Sequence, residues 1–163
     1  MEDETYLRGI QVTDSNGEAT FQTIVPGCYT GRWTHIHFEV YPDAASATNV
    51  ENAIATSQVA FPEDMLDEVY TLDTYPGSAD NLTQVSLATD NVFSDGYDLQ
   101  MGTFTGDPTS GYVGSLAVAV DTTTEPGLSQ PRTAAPLPRA PRPVARRGPT
   151  SPSITHPQQG EPP

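Results

Sequence analysis

Between Pro26 and Phe38 the chain reads Pro-Gly-Cys-Tyr-Thr-Gly-Arg-Trp-Thr-His-Ile-His-Phe, which places a phenol (Tyr29), a guanidinium (Arg32) and two imidazoles (His35, His37) within nine residues. In a strand, side chains alternate between faces, so His35 and His37 project to one side, about 7 Å apart, and Ile36 and Phe38 to the other. Two imidazoles on one face are placed to hold a metal ion. Neutral imidazoles suit zinc, copper, iron or nickel, whereas a phenolate is a hard anionic donor that favours a hard trivalent cation, Fe(III) above all. A tyrosine in water keeps its proton to a pKa of about 10, and a bound cation strips it because the ion's charge dominates the local field. The set Tyr29, His35 and His37 therefore reads as ferric iron ahead of zinc. The plainer reading is a tyrosine at the edge of a core and two histidines bonded to the backbone.

Short apolar runs broken by Gly, Asp, Asn and Pro must position these groups, and no segment carries a long helical period. The alternation predicts strands over Arg8 to Val12, Ala19 to Ile24, Thr34 to Tyr41, Thr56 to Phe61, Leu99 to Thr105 and Gly114 to Val120. Asp14-Ser15-Asn16-Gly17-Glu18 has Asn-Gly at its centre, a hairpin signal between the first two. Ser110 to Gly114 reads as a second turn. One short helix is predicted over Pro62 to Tyr70, with acids in its first turn as the helix dipole favours. Trp33 and Phe38 read as core. The expected fold class is all-β, a β-sandwich of mainly antiparallel strands with long loops.

The composition shifts near residue 127. Beyond it the chain is rich in Pro, Arg, Ser and Thr, as in Pro136-Leu137-Pro138-Arg139-Ala140-Pro141-Arg142-Pro143. Such a segment buries too little apolar surface to offset its conformational entropy and is expected to be a disordered C-terminal tail over 127–163, leaving a folded unit over 1–126. The tail holds five arginines and one acid, a balance of +4, while residues 1–126 hold Arg8 and Arg32 against 20 acids, a balance of −18. So acidic a body repels nucleic acid and anionic lipid. It also singles out Arg32, three residues before His35. The single cysteine, Cys28, excludes an internal disulfide. Met1 to Thr5 has neither the basic nor the apolar stretch of a leader, and no run is long and apolar enough to span a bilayer, so the chain as written is expected in the cytoplasm. A secreted location is expected if the true N-terminus lies further upstream. Asn81-Leu82-Thr83 matches a glycosylation sequon, a weak three-residue signal.

Taken together, Tyr6-Leu7-Arg8-Gly9-Ile10-Gln11-Val12-Thr13-Asp14, Asn16-Gly17, Phe21-Gln22-Thr23-Ile24, Pro26-Gly27, Tyr29, Gly31-Arg32 and His35-Ile36-His37-Phe38 resemble the intradiol ring-cleavage dioxygenases, the catechol and protocatechuate dioxygenases and their shorter relatives. Downstream, Ser57 to Asp64, Val69-Tyr70, Thr89 to Phe93, Thr105 to Asp107 and Gly111-Tyr112 are similar to the short group, so the likeness spans roughly residues 5–121. The resemblance implies a β-sandwich holding Fe(III) by two tyrosines and two histidines, and cleavage of a catecholic ring by O2 to a muconate-type diacid. On it, Tyr29, His35 and His37 are metal ligands. Arg32 lies near the substrate ring and stabilises its developing charge, and Gln58 is a polar residue behind the metal that orients a site water. One tyrosine ligand of the family lies upstream of the segment matching Tyr6 to Gly9, and Tyr6 itself matches a packing aromatic. The resemblance is thus to a form truncated at its N-terminus and short of one ligand, which puts its activity in question.

Two other readings stand beside this one. A transthyretin-like or starch-binding-like sandwich would be a binding module with a fortuitous His-x-His pair, and a zinc or copper site would be without catalytic consequence. The expected partners are a small catecholic aromatic and O2, with no nucleic acid and no membrane. An unpaired sheet edge would favour a homo-oligomer.

Overall fold

His35 to Val40 forms strand β1 and Ala55 to Ala60 forms β2, an antiparallel pair in the register His35 opposite Ala60 and His37 opposite Gln58. This is a computed structural model, and it describes residues 7–125; the expected tail over 127–163 lies outside the described residues. Between the two strands, 3-10 turns at Ser46–Thr48 and Val50–Asn52 carry the chain back. A second antiparallel pair joins β3 (Thr103–Asp107) to β4 (Gly111–Ser115) through a turn whose Gly111 has φ +87°. One parallel bridge joins Ala60, at the end of β2, to Met101, two residues before β3. Ala60 N–H donates to Gln100 C=O at 2.8 Å, and Gly102 N–H donates to Ala60 C=O at 2.9 Å. The architecture is therefore mainly β, built from antiparallel pairs.

Among the described residues, two helices complete it. Helix α1 (Glu63–Val69) starts behind Pro62, has Glu63 and Asp64 in its first turn, and buries Met65, Leu66 and Val69, as the sequence predicts. Helix α2 (Ser78–Leu82) is a finding the sequence does not predict. Pro76-Gly77 before it reads as a turn, and Gly77 does take a left-handed φ of +79°, but the chain then makes five helical residues that bury Ser78 and Leu82 on one side. No helix among the described residues is long and apolar enough to cross a membrane.

The core gathers Cys28, Trp33, Ala60, Phe61, Met65, Leu66, Val69, Tyr70, Leu82 and Phe93. Trp33 is buried as expected, with its indole N–H donating to Phe61 C=O at 2.9 Å. Phe38 is half-buried and outside that cluster, whereas Ile36, two residues earlier on the same face, packs against it. Phe61 stacks on Phe104 with ring centroids 4.7 Å apart, which ties the end of β2 to β3.

Two expected strands are corrected. Arg8 to Val12 and Ala19 to Ile24 form no ladder. The turn between them closes as expected: Asp14 N–H donates to Glu18 C=O at 2.9 Å, the Asp14 carboxylate accepts from the Asn16 and Glu18 N–H groups, and Gly17 has φ +81°. Ile10, Val12, Phe21 and Ile24, however, all stay exposed. A two-stranded ribbon with neither face buried gains too little to hold its pairing in water. The ladder between Leu99 to Thr105 and Gly114 to Val120 runs only from Thr103 and only as far as Ser115, because Thr103 opposite Ser115 is its last rung, and Met101 makes the single bridge to Ala60 instead.

Gly114 lies against the Phe104 ring so closely that a β-carbon there would overlap it. Gly114→Ala is expected to destabilise the fold by about 1–3 kcal/mol through overpacking. A shift of the urea midpoint at unchanged slope measures this.

Candidate functional site

Tyr29 sits in a loop with little regular structure of its own, and side chains from the helical segment hold that loop in place. Tyr75 Oη donates to Val25 C=O at 2.9 Å and Tyr70 Oη to Pro26 C=O at 2.7 Å. Cys28 N–H donates to Ser78 Oγ at 3.2 Å, while Asn81 Nδ2 donates to Cys28 C=O at 2.9 Å. Gly27 permits the approach, since a β-carbon there would meet Ser78 Oγ at 3.1 Å. Gly31, with φ +90°, turns the chain from this loop toward β1. The Asn81 amide is thus an internal fastener, which argues against the sequon as a modification site.

The two nearby tyrosines contrast. Tyr70 is buried, and burial pushes its pKa up to about 12, so its hydroxyl keeps its proton, donates to Pro26 and accepts from Thr34 Oγ1 at 2.7 Å. Tyr29 is 54% exposed. No hydrogen bond to its hydroxyl is present among the described residues, and its ring stands edge-on to His35 with centroids 6.0 Å apart.

His35 and His37 lie on the same face of β1, and Gln58, directly across from His37, shares that face. His35 Nδ1 is 2.6 Å from Trp33 C=O, which requires the proton on Nδ1 and leaves Nε2 as a free acceptor. Burial, first, and the nearby Arg32 charge hold the His35 pKa below the usual histidine value against the opposing pull of the Trp33 bond, so the ring is neutral at pH 7. A neutral imidazole whose second nitrogen is tied to a backbone carbonyl is the form in which histidine binds metals. His37 is the more exposed of the two, and its Nε2 is 3.7 Å from Glu39 Oε1.

Arg32 is held from two sides. Its Nε donates to Asp90 Oδ2 at 2.8 Å and its Nη2 to Gln58 Oε1 at 2.6 Å. Asp90 is 0% exposed, and both oxygens are fully used: Oδ2 also accepts from Trp33 N–H at 2.7 Å, and Oδ1 accepts from the N–H groups of Val92 at 2.8 Å and Phe93 at 3.1 Å. Burial raises its pKa, but the Arg32 bond and the three backbone donors outweigh this and hold the carboxyl below its ordinary range.

The structure thus joins Arg32 to Gln58, sets Gln58 beside His37 across the sheet, and sets Tyr29 against His35. Sequence reasoning misses Asp90 as the hub, although the matched segment Thr89 to Phe93 contains it. Tyr29 and His37 are exposed on this face. Two depressions in the surface lie elsewhere, one lined by Met65, Glu68, Phe104 and Tyr112 and the other by Glu63, Asp67, Tyr70 and Leu82. No family model, curated protein or solved structure matches the chain.

Because its folded pKa is depressed, the stability Asp90 contributes is complete above the unfolded value of about 3.9 and is lost as pH falls through the lower folded value. Asp90→Asn is expected to cost about 1–3 kcal/mol at neutral pH. Its deficit relative to wild type should shrink as the pH drops below about 4, as chemical denaturation across pH would record.

Proposed function

We propose that this chain is an intradiol-type dioxygenase domain in which Tyr29, His35 and His37 hold Fe(III), within a β-sandwich of which the two antiparallel pairs are parts. The observation that carries the reading is the pairing of a tautomer-locked, neutral His35 with an exposed tyrosine whose ring lies against it. The donor set fits ferric iron: two neutral nitrogens and one hard oxygen that a trivalent cation can deprotonate. When bound, the ion supplies Lewis acidity toward both oxygens of a catechol, which prepares the ring for O2 and for opening to a muconate-type diacid.

The protein's own residues do the rest. Trp33 C=O holds the His35 Nδ1 proton, so Nε2 is left as an acceptor without a tautomer change. Arg32, held at two of its nitrogens, keeps free N–H groups for an oxygen on the substrate ring. A preorganised donor of this kind is worth about 3 kcal/mol in a transition state. Gln58 spends its Oε1 on Arg32, so its first role is to orient the guanidinium, with its amide nitrogen left for a water. The fourth protein donor that the resemblance implies is not among the described residues, and slow turnover is the expected consequence.

One observation favours the binding-module reading. Tyr29 and His37 lie on an open face without the enclosing walls of most small-molecule sites. Colour separates the two. Loaded with ferric iron, wild type is expected to bind one ion per chain and show a broad visible phenolate charge-transfer band, and Tyr29→Phe to lose that band while keeping its far-ultraviolet circular dichroism. A colourless wild type contradicts the proposal, and oxygen uptake with catechol reports on activity itself.

A further inference from the structure

We infer that the groove between helix α1 and the β3–β4 hairpin binds the proline- and arginine-rich segment Pro136–Pro143 of a second copy of this chain. Asp64, Met65 and Glu68 line the groove on the helix side, and Phe104 and Tyr112 line it on the hairpin side. Phe104 is backed by its stack on Phe61, with centroids 4.7 Å apart. Tyr112 Oη donates to Glu68 Oε2 at 3.2 Å, which ties the hairpin to the helix. None of these residues belongs to the face of Tyr29, His35 and His37, so the inference is independent of the ring-cleavage reading.

The rim is acidic and uncompensated. Asp64 and Glu68 are exposed, and they stand one turn apart on α1, about 6 Å along its axis. Among the described residues neither has a cationic partner, and the one ion pair made by an arginine is that of Arg32 with Asp90. Aromatic-lined grooves take proline-rich segments, and carboxylates take arginine in its forked geometry.

Pro136-Leu137-Pro138-Arg139-Ala140-Pro141-Arg142-Pro143 has the matching spacing. Bound as a polyproline II helix, with three residues per turn, it presents Pro138 and Pro141 on one edge and Arg139 and Arg142 on another, each pair about 9 Å apart. With the prolines on Phe104 and Tyr112, the two long arginine side chains reach Asp64 and Glu68. Charge favours the exchange, because residues 1–126 carry a balance of −18 and residues 127–163 one of +4. Pro136 lies 11 positions beyond Glu125, the last described residue. A chain of that length spans at most about 40 Å, several times the screening length of about 8 Å at physiological ionic strength. The two acidic bodies therefore need not come close enough to repel.

Sedimentation equilibrium of the full-length protein over a range of concentrations tests this. Wild type is expected to show a mass that rises with concentration. Asp64→Arg/Glu68→Arg and Arg139→Glu/Arg142→Glu are each expected to associate about tenfold more weakly, the scale of two exposed ion pairs. The first variant is less negative than the wild-type −14, so weaker association there runs against relief of general repulsion. Mixing the two variants sets every groove against a segment of opposite sign and is expected to restore association, with circular dichroism verifying that each is folded. A wild type that stays monomeric throughout, variants that associate as well as wild type, or a mixture that fails to recover association each overturns the inference.

Discussion

A buried carboxylate with four hydrogen bonds organises the site. Asp90 reaches across the fold to the Trp33 backbone and the Arg32 side chain, and its other oxygen closes the turn that leads into the fully buried Phe93. Trp33 in turn accepts the proton-bearing nitrogen of His35. One ionised group therefore fixes the direction of the guanidinium and the residue whose carbonyl sets a histidine tautomer. Burying it is tolerable because Arg32 and three backbone donors replace the water it loses, and the same bonds keep it charged. Phe93 and His35 then meet edge to face at 6.3 Å, so the core itself backs the imidazole.

The loop carrying Tyr29 is positioned by a different device. It has almost no backbone pairing, yet side chains of Tyr70, Tyr75, Ser78 and Asn81 satisfy its carbonyls and one N–H from the far side. This explains how an irregular segment can hold the Tyr29 side chain in place. It also gives the short helix α2 a purpose, since that helix presents Ser78 and Asn81 to Cys28. The fold thus spends one buried tyrosine, Tyr70, on structure and leaves another, Tyr29, exposed.

The sequence discloses what is local. Alternation in Thr34 to Tyr41 and Thr56 to Phe61 locates β1 and β2 to within a residue or so, and Pro62 followed by acids locates α1. Gln58 emerges on the resemblance, but its partnership with Arg32 depends on a register that neither strand specifies alone. Asp90 is one of 20 acids before residue 127, and nothing in its immediate neighbours separates a buried hub from a solvated charge. The strands expected around Asp14 to Glu18 fail for the complementary reason. Their pattern and turn are right, but pairing needs a face to bury, and alternation cannot report whether a partner layer is present.

The central claim is that Tyr29, His35 and His37 share one ferric ion. X-ray absorption spectroscopy of the iron-loaded protein tests it most directly. The account predicts a ferric edge with oxygen and nitrogen neighbours and the outer-shell scattering of two imidazoles, reduced to one in His37→Ala. A spectrum with oxygen neighbours alone, unchanged in that variant, would contradict it.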